Sequence, residues 1–221
     1  MADIKGIKQG EKSTELVFVI DRSGSMGGLE SDTIGGVNSV LDNNRKVDGE
    51  AHVTTILFDN QIEYLHDHED LSRVGNLTDK DYWVRGATAL LDAVGEAITH
   101  TRKVQSYLPE DHRAGKIIVT IVTDGMENCS ERYTYRKVKH MIEGAKKHGW
   151  EFLFLGANID VAAEADKLGI DRDMATGYVS DARGTDIAYE AVAHATVASR
   201  VCGAVNRGWA DRVRHDKHTR G

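Results

Sequence analysis

Val17–Met26 reads VFVIDRSGSM, and this stretch decides the fold. An apolar run from Leu16 to Ile20 stops at Asp21, Ser23 and Ser25, with Gly24 between the serines and Gly27–Gly28 behind them. A short apolar run bounded by turn residues reads as a buried β-strand. Three oxygen side chains then stand where the strand leaves the sheet, which is where open parallel α/β sheets hold their ligands. Alternate spacing lets Asp21, Ser23 and Ser25 converge on one point in a near-extended loop. One carboxylate and two hydroxyls form a hard oxygen set suited to Mg²⁺, Mn²⁺ or Ca²⁺.

Working outward, Lys116–Thr123 (KIIVTIVT) is a second buried strand, and it ends in Asp124–Gly125. Between the two strands lies Arg85-Gly86-Ala87-Thr88, followed by the amphipathic run ALLDAVGEAI. Thr88 therefore falls near a helix N-terminus, where threonine is a favoured cap. Together these segments resemble the von Willebrand factor A (vWA) domain and its metal-ion-dependent adhesion site. That family's pattern is Asp-x-Ser-x-Ser after the first strand, a distant Thr, and an Asp after the fourth strand, often within Thr-Asp-Gly. Asp21, Ser23, Ser25, Thr88 and Asp124 match those positions in order, and the resemblance covers roughly residues 15–207. Each part alone has a plainer reading: a turn plus helix cap at 21–25, an N-cap at Thr88, a turn pair at Asp124–Gly125. The order and spacing of all five favour the metal site.

The resemblance implies an α/β fold: a doubly wound, mostly parallel, Rossmann-like sheet with one antiparallel edge strand and helices on both faces. It also implies that Ser23, Ser25 and Thr88 offer hydroxyls to a metal, while Asp21 and Asp124 act largely through water or through hydrogen bonds to those hydroxyls. Hydroxyls donate less electron density than carboxylates, so such a cation stays electrophilic. A partner's Asp or Glu carboxylate is then a favoured sixth ligand for Mg²⁺. The expected function is metal-dependent protein binding, with Arg22, Met26, Arg85 and Glu127 as candidate partner contacts beside the metal. The alternative is a scaffold subunit of a larger assembly.

The 221 residues suit one domain able to bury a full core. A net charge of −7 argues against a nucleic-acid partner, and no apolar stretch approaches the ~20 residues of a membrane span. The opening segment lacks the apolar core of a secretory signal, and Cys129 and Cys202 make no disulfide framework, so a cytoplasmic setting is expected. No catalytic activity is expected. A haloacid-dehalogenase type of phosphotransferase would want a second Asp where Ser23 stands, and no Gly-x-Ser-x-Gly elbow or Walker loop is present.

Residues 1–14 read as a mobile tail and 208–221 as a frayed, basic end. Between them, helices are expected over Leu29–Asn43, Ala89–Lys103, Tyr133–His148, Asp160–Leu168 and Asp181–Val205. The last of these should bury Ile187, Ala191, Val197, Val201 and Val205. Further strands are expected over His52–Phe58, Gln61–Leu65, Glu151–Leu155 and Met174–Val179. His66-Asp67-His68-Glu69-Asp70 reads as a solvated loop after the edge strand rather than as a second metal site, although His66 and His68 would share a strand face.

Overall fold

A computed structural model describes residues 13–220. Six strands form one sheet: β1 (Thr14–Asp21), β2 (Ala51–Phe58), β3 (Ile62–Asp70), β4 (Lys116–Thr123), β5 (Glu151–Gly156) and β6 (Ala175–Gly177). Their order is β3-β2-β1-β4-β5-β6. All neighbours are parallel except β2 and β3, which pair antiparallel at one edge. Six helices pack around the sheet: α1 (Glu30–Arg45), α2 (Leu90–Tyr107), α3 (Tyr135–Lys146), α4 (Val161–Leu168), α5 (Ala182–Cys202) and α6 (Asp211–Arg220). Among the described residues, no helix is long and apolar enough to cross a membrane.

Every residue of β1 is buried, as a central strand covered on both faces requires. Its side chains alternate between two cores. Leu16, Phe18 and Ile20 join Val37, Val40 and Leu41 of α1 and Ile187, Ala188 and Val192 of α5. Val17 and Val19 join Leu90, Val94 and Ile98 of α2, Val138 and Ile142 of α3, and Leu168 of α4. The chain passes from β1 to β2 on one side, then returns past β1 to place β4 on the other. The order reverses between β1 and β4, so a crevice opens at their carboxyl ends. Asp21 and Asp124 stand at those two ends, with Ile20 in register with Val122.

Several expectations need correction. The strand already includes Thr14, and residues 1–12 of the expected tail lie outside the described residues. The segment 208–221 is not frayed where it is described, because Asp211–Arg220 is a helix. Its sequence carries one buried apolar residue, Val213, and polar contacts hold the rest. Arg214 donates to the carbonyls of Asp173 and Ala175 at 3.0 and 3.4 Å, the Trp209 indole donates to Asp173 at 2.9 Å, and Arg220 pairs with Asp181 at 2.6 Å. The helix α5 stops at Cys202, and Val201 is 67% exposed. The buried stripe of α5 instead runs through Ile187, Ala188, Ala191, Val192, Ala195, Thr196 and Ser199.

The segment 66–70 is not a loop either, since β3 runs to Asp70. A register shift between Val53 and Thr55 inserts a bulge opposite β2. It separates the two histidines: His66 is buried and meets the Thr55 hydroxyl at 3.0 Å, while His68 meets Glu15 at 2.6 Å.

Candidate metal centre

The loop after β1 is pinned before it reaches the serines. Asp21 Oδ1 accepts from the Ser23 backbone N–H at 2.7 Å, and Oδ2 accepts from the Thr123 hydroxyl at 2.6 Å. The Tyr82 hydroxyl donates to the Asp21 carbonyl at 2.6 Å. Asp21 therefore ties β1 to β4 and turns the backbone so that Ser23 and Ser25 share one side. Their hydroxyl oxygens lie 3.0 Å apart, and Thr88 Oγ1 donates to Ser23 Oγ at 3.0 Å. Ser25 is exposed at the mouth, whereas Ser23 and Thr88 are buried behind it.

Thr88 is not a helix cap. The helix α2 begins at Leu90, and its first N–H groups are satisfied from a distant loop: Leu91 donates to Glu127 at 2.9 Å and Asp92 donates to the Ser130 hydroxyl at 3.0 Å. A carboxylate at a helix N-terminus is favoured by the helix dipole as well as by these bonds. The Thr88 hydroxyl is thereby left for the site. Asn128 secures the Thr88 backbone in both directions, accepting from its N–H at 2.9 Å and donating to its carbonyl at 3.0 Å.

Asp124 completes the group. Both of its carboxylate oxygens are buried and, among the described residues, without a hydrogen-bond partner, and Ser25 borders the carboxyl without a bond of normal geometry. An orphaned buried carboxylate is costly. Burial pushes the Asp124 carboxyl above the usual carboxylate range. Asp21 is pushed from 3.8 to about 6, chiefly by burial, against the lowering effect of its hydrogen bonds from Thr123 and Ser23. At Gly125 an added Cβ would sit 3.0 Å from both Ser25 Oγ and Thr88 Oγ1, so a side chain there would press on the two hydroxyls of the site.

These residues fit a hard divalent cation. The neighbouring oxygens of an octahedral Mg²⁺ with ~2.1 Å bonds are separated by about 3.0 Å, whereas Ca²⁺ spreads them to about 3.3–3.6 Å. The 3.0 Å steps from Ser25 to Ser23 to Thr88 match the smaller ion. Asp124 offers a carboxylate with no hydrogen-bond partner among the described residues.

The residues expected to touch a partner fare differently. Arg22 is fully buried: Nε lies 3.0 Å from Asp59 Oδ2, Nη1 lies 2.7 Å from Glu63 Oε2, and the guanidinium stacks over Trp83 at 5.6 Å. It braces the loop against the β2–β3 hairpin and cannot flank an incoming acid. Met26 is 1% exposed and fills the core under the loop. Glu127 is committed to α2. Of the four, only Arg85 keeps an outward aspect, and it too holds Asp59, at 2.6 Å. The exposed apolar residues of the rim are Trp83 and Met126, within the loops 81–86 and 126–130.

The shifted Asp21 sets a pH dependence. A carboxyl whose folded pKa is raised binds its proton more tightly in the folded state. It adds stability below 3.8, and that contribution is lost as pH rises through about 6. In EDTA, the wild type is expected to lose about 1 kcal/mol from this group between pH 5 and pH 7. Urea midpoints of wild type and Asp21→Asn across that range isolate it, and parallel pH profiles would refute the assignment.

A scan of protein-family models finds no match to the sequence, and a search of curated proteins finds none either. The solved structures do match. The pilus adhesin SpaC from Lactobacillus rhamnosus GG aligns with a TM-score of 0.64 at 14% identity, over 87% of this chain and 31% of that one. The vWF domain of the type V pili tip protein Mfa5 from Porphyromonas gingivalis aligns at 0.58 and 12%, over 82% and 95%. Proximal thread matrix protein 1 from the mussel byssus, with a zinc-occupied metal-ion-dependent adhesion site, aligns at 0.57 and 14%, over 82% and 45%. This chain thus spans less than half the length of the byssus protein. It has the fold of a vWA domain.

Proposed function

We propose that this chain is a divalent-metal-dependent protein-binding module, in which Ser23, Ser25, Thr88 and Asp124 hold Mg²⁺ or Mn²⁺ and the metal recruits an Asp or Glu carboxylate from a partner. One observation carries this reading: the buried Asp124 carboxylate has no hydrogen-bond partner among the described residues and borders Ser25, the outer member of a hydroxyl chain Ser25–Ser23–Thr88 with 3.0 Å steps. The zinc-occupied site of the byssus protein supports it by analogy of fold. When bound, the cation supplies a Lewis-acidic position at the mouth beside Ser25. The chain's own residues do the rest. Asp21 fixes the loop, Asn128 fixes Thr88, Glu127 holds the start of α2, and the loops carrying Trp83 and Met126 form an apolar rim around the carboxylate's approach.

We further read the chain as a binder and not a catalyst, acting inside the cell. Asp21 is occupied by Ser23 and Thr123, and a serine stands where a phosphotransferase would carry its acid–base aspartate. The two free cysteines, Cys129 and Cys202, support the intracellular setting.

Pull-down from source-cell lysate with and without EDTA tests the reading. Thr88→Ala removes one hydroxyl and leaves the sheet intact, so metal-dependent capture is expected to fall at least tenfold while the unfolding free energy in urea changes by less than about 1 kcal/mol. Capture insensitive to EDTA would refute the mechanism, and Mg²⁺-dependent phosphatase activity lost in Ser23→Ala would replace it with a catalytic one.

A further inference from the structure

A second cluster of metal-ligating groups lies at the opposite end of the sheet. Glu15 and Asp21 stand six positions apart on β1, about 20 Å along an extended strand. Glu15 is 1% exposed. Its Oε1 accepts from the Thr54 hydroxyl at 2.8 Å, and its Oε2 lies 2.6 Å from His68 Nδ1 and 3.4 Å from Gln105 Nε2 on α2. Among the described residues, His68 is the sole basic group within ion-pair reach of this carboxylate. The His52 ring stacks on His68, with centroids 4.2 Å apart and planes 19° apart. One ligand atom from each of Glu15, His52 and His68 falls within 4.8 Å of the other two.

The backbone is built around this meeting. His68 adopts φ 51°, a left-handed conformation that costs a non-glycine residue energy. Its N–H donates to Thr54 Oγ1 at 3.1 Å, and the same hydroxyl donates to Glu15. The bulge in β3 thus turns His68 out of the strand's alternation and onto the face where Glu15 is buried. The imidazoles are 18% and 21% exposed, so an ion can reach them from solvent. Glu50 adds a second carboxylate at the mouth, 3.5 Å from His52 Nε2.

We propose that Glu15, His52 and His68 form a binding site for Zn²⁺ that joins β1, β2 and β3, separate from the oxygen-rich centre at the other end of the sheet. Two imidazoles and one carboxylate are the donor set Zn²⁺ accepts in three-ligand sites, with a fourth position left to water. The ion takes the place of the proton held between His68 Nδ1 and Glu15 Oε2, and that proton leaves to solvent. Zinc bonds of 2.0–2.1 Å place two ligands about 3.3 Å apart in a tetrahedral site. The His68–Glu15 pair must therefore open by less than 1 Å, a side-chain adjustment.

The test uses the full chain carrying Asp124→Ala, which removes the charge of the upper centre. Calorimetric titration with Zn²⁺ is expected to give one equivalent, and Co²⁺ is expected to give the intense visible absorption of a four-coordinate ion. Two additional single substitutions, each in that background, remove a ligand in different ways. His52→Phe keeps a ring stacked on His68, and Glu15→Gln keeps the acceptor for Thr54. Each is expected to weaken Zn²⁺ binding at least tenfold, with the far-ultraviolet spectrum retained. An absence of Zn²⁺ binding, or binding that both variants retain, overturns the proposal and in the latter case puts the ion elsewhere, such as on His215 and His218. Failure of the Mg²⁺ reading leaves this result untouched, because Asp124 is already absent.

Discussion

Asp124→Ala is expected to abolish the rise in thermal midpoint that Mg²⁺ or Mn²⁺ produces, while raising the midpoint of the metal-free protein. The two effects share one cause. Without a cation, the carboxylate is a buried anion with both oxygens unpartnered among the described residues, and relieving such a group gains roughly 1–3 kcal/mol. With a cation, it supplies the site's uncommitted negative charge. At a metal concentration 100 times the dissociation constant, wild type should gain about 2.7 kcal/mol by mass action, and the variant nothing. Differential scanning fluorimetry in EDTA and in Mg²⁺ measures both. A variant that keeps the metal shift removes Asp124 from the site. A variant less stable than wild type in EDTA would mean that the carboxylate has a partner after all.

Arg22→Met should cost about 3–5 kcal/mol, the usual loss when one member of a buried ion pair is removed. Asp59 would keep Arg85, whose side chain is 40% exposed, and lose the guanidinium that shares its interior. The loop from Asp21 to Ser25 would lose its brace against the hairpin, so metal affinity should fall with stability. Arg22→Lys should not rescue it, because an ammonium cannot reach Asp59, Glu63 and the Trp83 face together. Urea denaturation decides the matter. An unchanged midpoint with partner binding lost would return Arg22 to the recognition role its place beside Asp21 suggested.

That reversal shows where a linear reading stops. The central strands β1 and β4 were legible because both faces are covered, which leaves long apolar runs. Asp21, Ser23, Ser25, Thr88 and Asp124 were legible because each sits at the end of such a run or just before an amphipathic one. Arg22 was not: an arginine between Asp and Ser reads as surface, and its acidic partners lie 37 and 41 residues away in a hairpin. Glu127 was missed for the same reason, since it caps a helix that starts 37 residues before it. No local pattern encodes a long-range cap. The final helix escaped notice because ion pairs and backbone carbonyls hold it, so its sequence lacks an apolar stripe. His68 depends on a bulge, and a one-residue slip moves a side chain to the other face of a sheet.

The path of α6 has a practical consequence for handling the molecule. The helix climbs beside β6 from Asp173 to Asp181, and β6 runs parallel to β1. Arg220 therefore stands at the same end of the sheet as Ser25, while Ser13 stands at the far end, beside Thr14 and Glu15. The molecule has a polarity like that of a plug with its prongs on one side. A reporter or resin attached beyond Arg220 would crowd the prongs. One attached ahead of Ser13 would present them to the solution.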